Sequence, residues 1–320
     1  MKKILTLSLA LAMSITMFTG CAEKTTPTEA ASTEAAPTEA ASTKATPTEA
    51  TPTEATPTEA AQSDAATTLS GNVKTGGSTS VEKVMNSLIY KFQEDNGEVT
   101  VNYEMNGSGD GIKNTLSGLY EIGHSSRELK TDGSEDGLVA TAYAIDGIAV
   151  VLHKENGVED LTPDQIRDIY TGKIANWSEV GGADALITVI TREPSSGTRS
   201  AFGEIVGLEV KDKPETNLVD TATTCDSTGA IQTTVSQNEN AIGYMSFSDV
   251  DVEKVKTCKY DGAEISEETL KDGSYKLKRE FLLITPEGVV LAAPAQAFMD
   301  FILSEDGQKI VAESKLLPIK

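Results

Sequence analysis

The chain reads as a two-lobed α/β protein, and three observations lead there. Four places have the form strand, short polar turn, helix, and each turn carries Gly, Ser, Thr or Arg. The apolar run Ala140 to Val151, broken by Asp146-Gly147, is long enough for a strand that crosses between lobes. Gly71 to Lys320, about 250 residues, is enough chain for both lobes. In open α/β sheets ligands bind outside the carboxyl ends of strands, where helices begin. Four such turns on two facing lobes would converge on one point.

The N-terminal fifth is not domain material. Met1-Lys2-Lys3 is basic, Ile4 to Phe18 is apolar, and Phe18-Thr19-Gly20-Cys21 brings small residues to a cysteine. A basic start, a short apolar core and small residues at the break are the marks of a secretory signal. That assigns residues 1–20 to the signal. Residues 21–69 collapse to Thr, Pro, Glu and Ala, with Pro-Thr-Glu-Ala recurring at Pro27, Pro37, Pro47, Pro52 and Pro57. Such a segment has nothing to bury, so it is expected to be a disordered stalk. Part of the net charge of −22 lies there. With no basic face, nucleic acid is excluded as a partner.

The remaining elements follow in order. Gly76-Gly77-Ser78-Thr79-Ser80 opens a segment with Val81, Val84, Met85, Leu88, Ile89 and Phe92 at helical spacing. Glu98 to Glu104 alternates as a strand and enters Gly107-Ser108-Gly109-Asp110-Gly111, then Ile112, Leu116 and Leu119. Tyr120 to Gly123 is a short strand leading to His124-Ser125-Ser126-Arg127. Thr162-Pro163 starts a capped helix, and the single tryptophan, Trp177, reads as a packing anchor. The β-branched run Leu186 to Ile190 is a buried strand, and Thr198 to Val206 is a helix. Asp226 to Val235 reads as another capped helix, and Ala241 to Met245 as a buried strand returning to the first lobe. Strands at Val255 to Tyr260 and Phe281 to Ile284 and two closing helices complete the chain.

The chemistry concentrates at Arg192-Glu193-Pro194-Ser195-Ser196-Gly197-Thr198-Arg199. Hydroxyls, a glycine that admits a ligand closely and a helix N-terminus can hold an oxyanion. Arg192 adds a planar fork of donors. An ordinary N-capped helix beside a solvated arginine explains this stretch equally well when it is taken alone; four such junctions favour the anion. Metal chemistry finds little support, because His124 and His153 stand apart from any cluster at ligand spacing. A hydrolase would need a base beside a serine, and His124 before Ser126 is the one candidate. Cys225 and Cys258 could form a disulfide in an exported protein or stay as two buried thiols.

Two resemblances sharpen this. The residues before Cys21 are similar to the lipobox of bacterial lipoproteins, with Phe18 where leucine is usual. That implies a lipid on Cys21 and anchoring at the extracytoplasmic face of the cell membrane. The second rests on Gly77-Ser78-Thr79-Ser80, Gly107-Ser108-Gly109-Asp110-Gly111, Ser125-Ser126-Arg127, Thr171 to Trp177, Arg192 with Ser195 to Arg199, and Ala241 to Tyr244. Over Gly71 to Lys320 the chain resembles the phosphate-binding lipoproteins of bacterial phosphate ABC importers, in their Gram-positive form.

That resemblance implies a type II periplasmic-binding-protein fold, two α/β lobes joined by two crossovers around the ligand. The expected division is lobe 1 over 70–145, lobe 2 over 146–243, and lobe 1 again over 244–320. It implies a monomeric receptor, not an enzyme, with no cofactor. Its partners would be inorganic phosphate and the permease and ATPase subunits. The phosphate ligands would be Thr79, Ser80, Ser108, Ser126, Arg127, Asp146, Arg192, Ser196, Gly197 and Thr198. Relatives place an aspartate where Ser126 stands, to accept a hydrogen bond from the phosphate O–H. Asp146, or else Asp110, is expected to supply that acceptor, so that Asp146→Asn would relax the preference for phosphate over sulfate. A receptor for sulfate or molybdate, and a surface sensor or adhesin, remain the alternatives.

Overall fold

Two strand-to-helix units and a third strand open the described chain. β1 (Gly71–Gly77) enters a 3-10 turn over Thr79–Val81 and then α1 (Glu82–Asp95). β2 (Val99–Met105) enters α2 (Ser108–Leu116), and β3 (Ile122–Ser125) follows. From β3 the chain passes through turns to another strand, so the fourth expected junction, at His124 to Arg127, has no helix. The computed structural model describes residues 68–208 and 217–319. The expected signal, nearly all of the linker and Cys21 lie outside the described residues. Among the described residues no helix is long and apolar enough to cross a membrane.

The spacing that predicts α1 is the face it buries: Val84, Met85, Leu88 and Phe92. The prediction for α2 is half right. Ile112 is buried, but Leu116 and Leu119 are about half exposed. The helix stops at Leu116, Gly118 takes φ 75°, and the Leu119 and Tyr120 amides fold back onto the Asn114 carbonyl, which turns both leucines outward.

β4 (Leu138–His153) is the long strand expected from the apolar run. After it come β5 (Asp160–Leu161), α3 (Pro163–Tyr170), β6 (Thr188–Arg192), α4 (Gly197–Val206), β7 (Thr223–Cys225) and α5 (Thr228–Ser236). β8 (Ala241–Ser246), β9 (Val255–Tyr260), α6 (Glu267–Asp272), β10 (Lys278–Pro286), α7 (Ala293–Leu303), α8 (Glu305–Glu313) and β11 (Leu317–Pro318) complete the order. Thr162 and Gln165 cap α3 reciprocally, with Pro163 at its first position. Trp177 is buried and donates from Nε1 to the Asn240 carbonyl at 3.0 Å, the anchor its position suggests.

The strands run in the order β2-β1-β3-β10-β4-β8-β6-β7. β4 is shared: residues 138–147 pair with β10, and Ile148 to Leu152 pair with β8. Two apolar cores lie along it. The first joins Val73 to Ala144 with Phe281 to Leu316; the second runs from Ile148 to Leu277. The chain therefore changes core at 145–147 on β4 and at 278–280 on β10. This corrects the expected return at 244. Every residue of β8 is buried, it lies between β4 and β6, and it belongs to the second core, as do β9 and α6. Cys225 and Cys258 are separate buried thiols, and burial pushes Cys258 up to about 12.

Candidate functional site

The carboxyl ends of β1, β3 and β6 and the starts of α2, α4 and α5 meet at one place. Seven hydroxyls converge there: Ser78, Thr79, Ser80, Ser108, Ser126, Thr198 and Thr228, all buried. Ser78 Oγ donates to Ser126 Oγ at 2.9 Å, and Ser126 and Ser108 Oγ lie 3.2 Å apart. The Ser126 amide donates to Ser108 Oγ at 3.0 Å. Across the junction of the two cores, Ser80 Oγ meets Thr198 Oγ1 at 2.7 Å and Thr228 Oγ1 at 3.2 Å. The Gly109 amide of α2 donates to the Ser195 carbonyl at 2.9 Å.

Backbone donors face the same place. Gly197 and Thr198 are the first residues of α4, so their N–H groups have no acceptor within the helix. Ser196 caps that helix through the Arg199 amide at 3.2 Å, which makes it the ordinary N-cap of one reading and the edge of the cradle of the other. Gly197 is there because nothing larger fits. A Cβ on it would lie 2.2 Å from Ser108 Oγ and 2.6 Å from Ser126 Oγ.

Arg192 ends β6 and is 1% exposed. Its Nη2 donates to Thr79 Oγ1 at 2.9 Å and its Nη1 to Thr228 Oγ1 at 3.3 Å. Its Nε and Nη2 also reach the two oxygens of Glu193, each at 2.7 Å. A buried guanidinium needs such a partner, and the fork fixes its plane. Sequence reasoning missed Glu193, Thr228 and Ser78. Glu193 directly follows the arginine, but nothing in its context distinguishes it from a surface acid. Thr228 lies in a stretch read only as a capped helix, and its role depends on α5 starting beside α4.

Two expected ligands are not in the cluster. Arg127 turns away, with Nη1 and Nη2 on the Glu135 carboxylate at 2.9 and 2.6 Å. Asp146 is fully buried and spends its oxygens on Arg279 and Ser246: Arg279 Nη2 donates to Oδ2 at 3.0 Å and Ser246 Oγ to Oδ1 at 2.9 Å. It lies on the strand where the cores change, so its partners are the crossovers. None of the hydrogen bonds of the cluster described above involves Asp110, in the first turn of α2. His124, the base a hydrolase would need, faces the first core. Burial lowers it to about 3, and its Nε2 lies 2.8 Å from Thr75 Oγ1.

Donors in excess, one paired cation and no free carboxylate make a receptor for a small oxyanion. Comparison with known proteins agrees. The family model of the periplasmic-binding-protein (PBP) superfamily domain matches residues 28–306. The phosphate-binding protein PstS of Bacillus subtilis is 30% identical over 254 residues, covering 78% of this chain and 81% of the relative. The chain belongs to this family. A solved Clostridium perfringens structure, described as a phosphate ABC transporter substrate-binding protein with bound phosphate, is 45% identical with a TM-score of 0.73. It is covered fully, by 78% of this chain. An ABC-type phosphate transport receptor from Vibrio cholerae is 32% identical with a TM-score of 0.66, over 78% of this chain and all of the other. PstS proteins are substrate-binding components of transporters, not enzymes, and their periplasmic-binding-protein fold is the two-core α/β arrangement described above.

Proposed function

We propose that this chain captures inorganic phosphate outside the cytoplasm and delivers it to an ABC-transporter permease with its ATPase. The observation that carries the reading is Arg192 set among seven buried hydroxyls, three of them in the first turns of α2, α4 and α5. Thr79, Ser80, Ser108, Ser126, Thr198 and Thr228 donate hydroxyl hydrogens to the phosphate oxygens. The Gly197 and Thr198 amides donate from the helix start, and Ser196 holds that start in shape. Charge-assisted bonds of this kind contribute about 1.5–3 kcal/mol each. Several of them outweigh the cost of association and give micromolar or tighter binding. A lipid on Cys21 and the Thr/Pro/Glu/Ala stalk hold the monomeric receptor near the membrane.

A second reading, a receptor for tetrahedral oxyanions at large, is favoured by one observation. Glu193, beside the cluster, has both oxygens on Arg192, so it is not free to accept a proton from the anion. Equilibrium dialysis of the full chain against radiolabelled phosphate, with sulfate as competitor, decides between them. One phosphate per chain, undisplaced by sulfate, supports the phosphate receptor. Displacement by sulfate at equal concentration supports the broader receptor, and no bound phosphate contradicts both.

A further inference from the structure

The field of Arg192 at the cluster is offset in part by its own neighbour. Its charge is matched by Glu193 through two bonds of 2.7 Å, and that pair is neutral before any anion enters. A second guanidinium lies behind the hydroxyls. Arg279, on β10, has a side chain only 3% exposed. Its Nη1 donates to the Ser126 carbonyl at 3.4 Å, and the Ser126 hydroxyl belongs to the cluster. Its Nε and Nη2 both use one oxygen of Asp146, at 3.3 and 3.0 Å, while Ser246 takes the other. Arg279 and Asp146 are register partners on β10 and β4, at the place where the chain changes core on both strands.

The acids around it do not overcompensate this charge. Burial raises Asp146 to about 6 and Asp249 to about 8, and Asp249 Oδ2 has no hydrogen-bond partner. Glu82 and Lys83 of α1 face Asp249 with opposite signs. Arg192 lies close enough that its charge, after burial, works against that of Arg279. Like Arg192 with Glu193, Arg279 with Asp146 is a neutral pair, but it is oriented: the guanidinium meets the Ser126 carbonyl while Asp146 also meets Ser246. An anion brought beside Ser126 would feel Arg279 first, because the guanidinium stands between Ser126 and Asp146.

We infer that Arg279 is a positioning residue of the oxyanion site, which holds the Ser126 turn through its carbonyl and turns the positive end of its ion pair toward the anion. Asp146 is its counter-ion and opposes the anion instead of accepting its proton. The inference rests on the phosphate-receptor reading. It separates from a purely structural role by sign. Arg279→Gln and Asp146→Asn break the same ion pair, so a structural role predicts the same loss from both. The electrostatic role predicts opposite effects, because one substitution removes a positive charge and the other a negative one.

The experiment is calorimetric titration of phosphate into the full chain and its variants at pH 7.5, with thermal melts to confirm folding. Arg279→Gln is expected to weaken phosphate binding tenfold or more. Asp146→Asn is expected to bind at least as tightly as the wild type. Arg279→Lys, which keeps the charge, should stay within about threefold, and it decides the matter if the glutamine variant does not fold. Equal weakening in Arg279→Gln and Asp146→Asn, no weakening in Arg279→Gln, or failure of the lysine to retain affinity would overturn the inference while leaving the receptor reading intact. Absence of phosphate heat in the wild type would overturn both.

Discussion

Gly197→Ala separates binding from folding. The three atoms nearest a Cβ at this position are Ser108 Oγ at 2.2 Å, Ser126 Oγ at 2.6 Å and Ser108 Cβ at 2.8 Å. Rotating the two hydroxyls relieves the first two contacts but not the third, which is fixed by the start of α2. Ordinary carbon contacts lie at about 3.5–4.0 Å, so the two sides must retreat by about 1 Å. All three atoms belong to the half of the protein that faces α4, so the methyl meets them only when the halves meet. Overpacking of this kind costs about 1–3 kcal/mol. If that cost falls on the closed form alone, phosphate affinity drops by roughly 5- to 150-fold. The melting temperature without phosphate should stay within about 1 °C of the wild type, since 1 kcal/mol would move it by about 2–4 °C. The assay is calorimetric titration beside a thermal melt. Unchanged affinity would refute the reasoning, as would a fall in melting temperature large enough to account for the loss.

Two further outcomes follow from groups outside the cluster. Arg127→Met should leave phosphate affinity within about twofold, because Arg127 serves Glu135. It should lower stability by about 1–3 kcal/mol in urea unfolding, the cost of leaving that buried carboxylate without its fork. Asp249 gives a pH dependence of stability. Burial, then the charge of Asp146, raises it from 3.8 to about 8, so the folded chain holds a proton that the unfolded chain releases. That contribution is complete below about pH 4 and is lost as pH rises toward 8, at up to about 1.4 kcal/mol per pH unit. Asp249→Asn should flatten the slope between pH 6 and 8, and a slope unchanged in the variant would contradict the assignment.

Local pattern carried the sequence reading a long way, and its failures share a cause. The spacing from Val81 to Phe92, the Thr162-Pro163 cap and the strand-turn-helix form of three of the four junctions are set by neighbours in the chain and appear as expected; the fourth, after β3, leads to a strand instead of a helix. Arg192, Ser108, Gly197 and Thr198 could be named because residue type and backbone position together define their chemistry. Thr228 and Glu193 could not, because their partners are fixed by how α5, α4 and β6 are brought together. Arg127 and Asp146 carried charge in the right neighbourhood but pointed elsewhere, and side-chain direction across a lobe boundary is not written in local sequence. The expected return at 244 failed similarly. β8 is apolar throughout, and an apolar strand fits either core until its pairing with β4 and β6 is known.

The central claim is that Arg192 among these hydroxyls holds phosphate. The measurement that tests it most directly is calorimetric titration of phosphate into Arg192→Met beside the wild type, with both stripped of anion by unfolding and refolding. Arg192 offers charged donors worth about 1.5–3 kcal/mol each. Losing two of them predicts affinity reduced by roughly 150-fold or more, with the variant still folded. A folded variant that binds phosphate within threefold of the wild type would contradict the account.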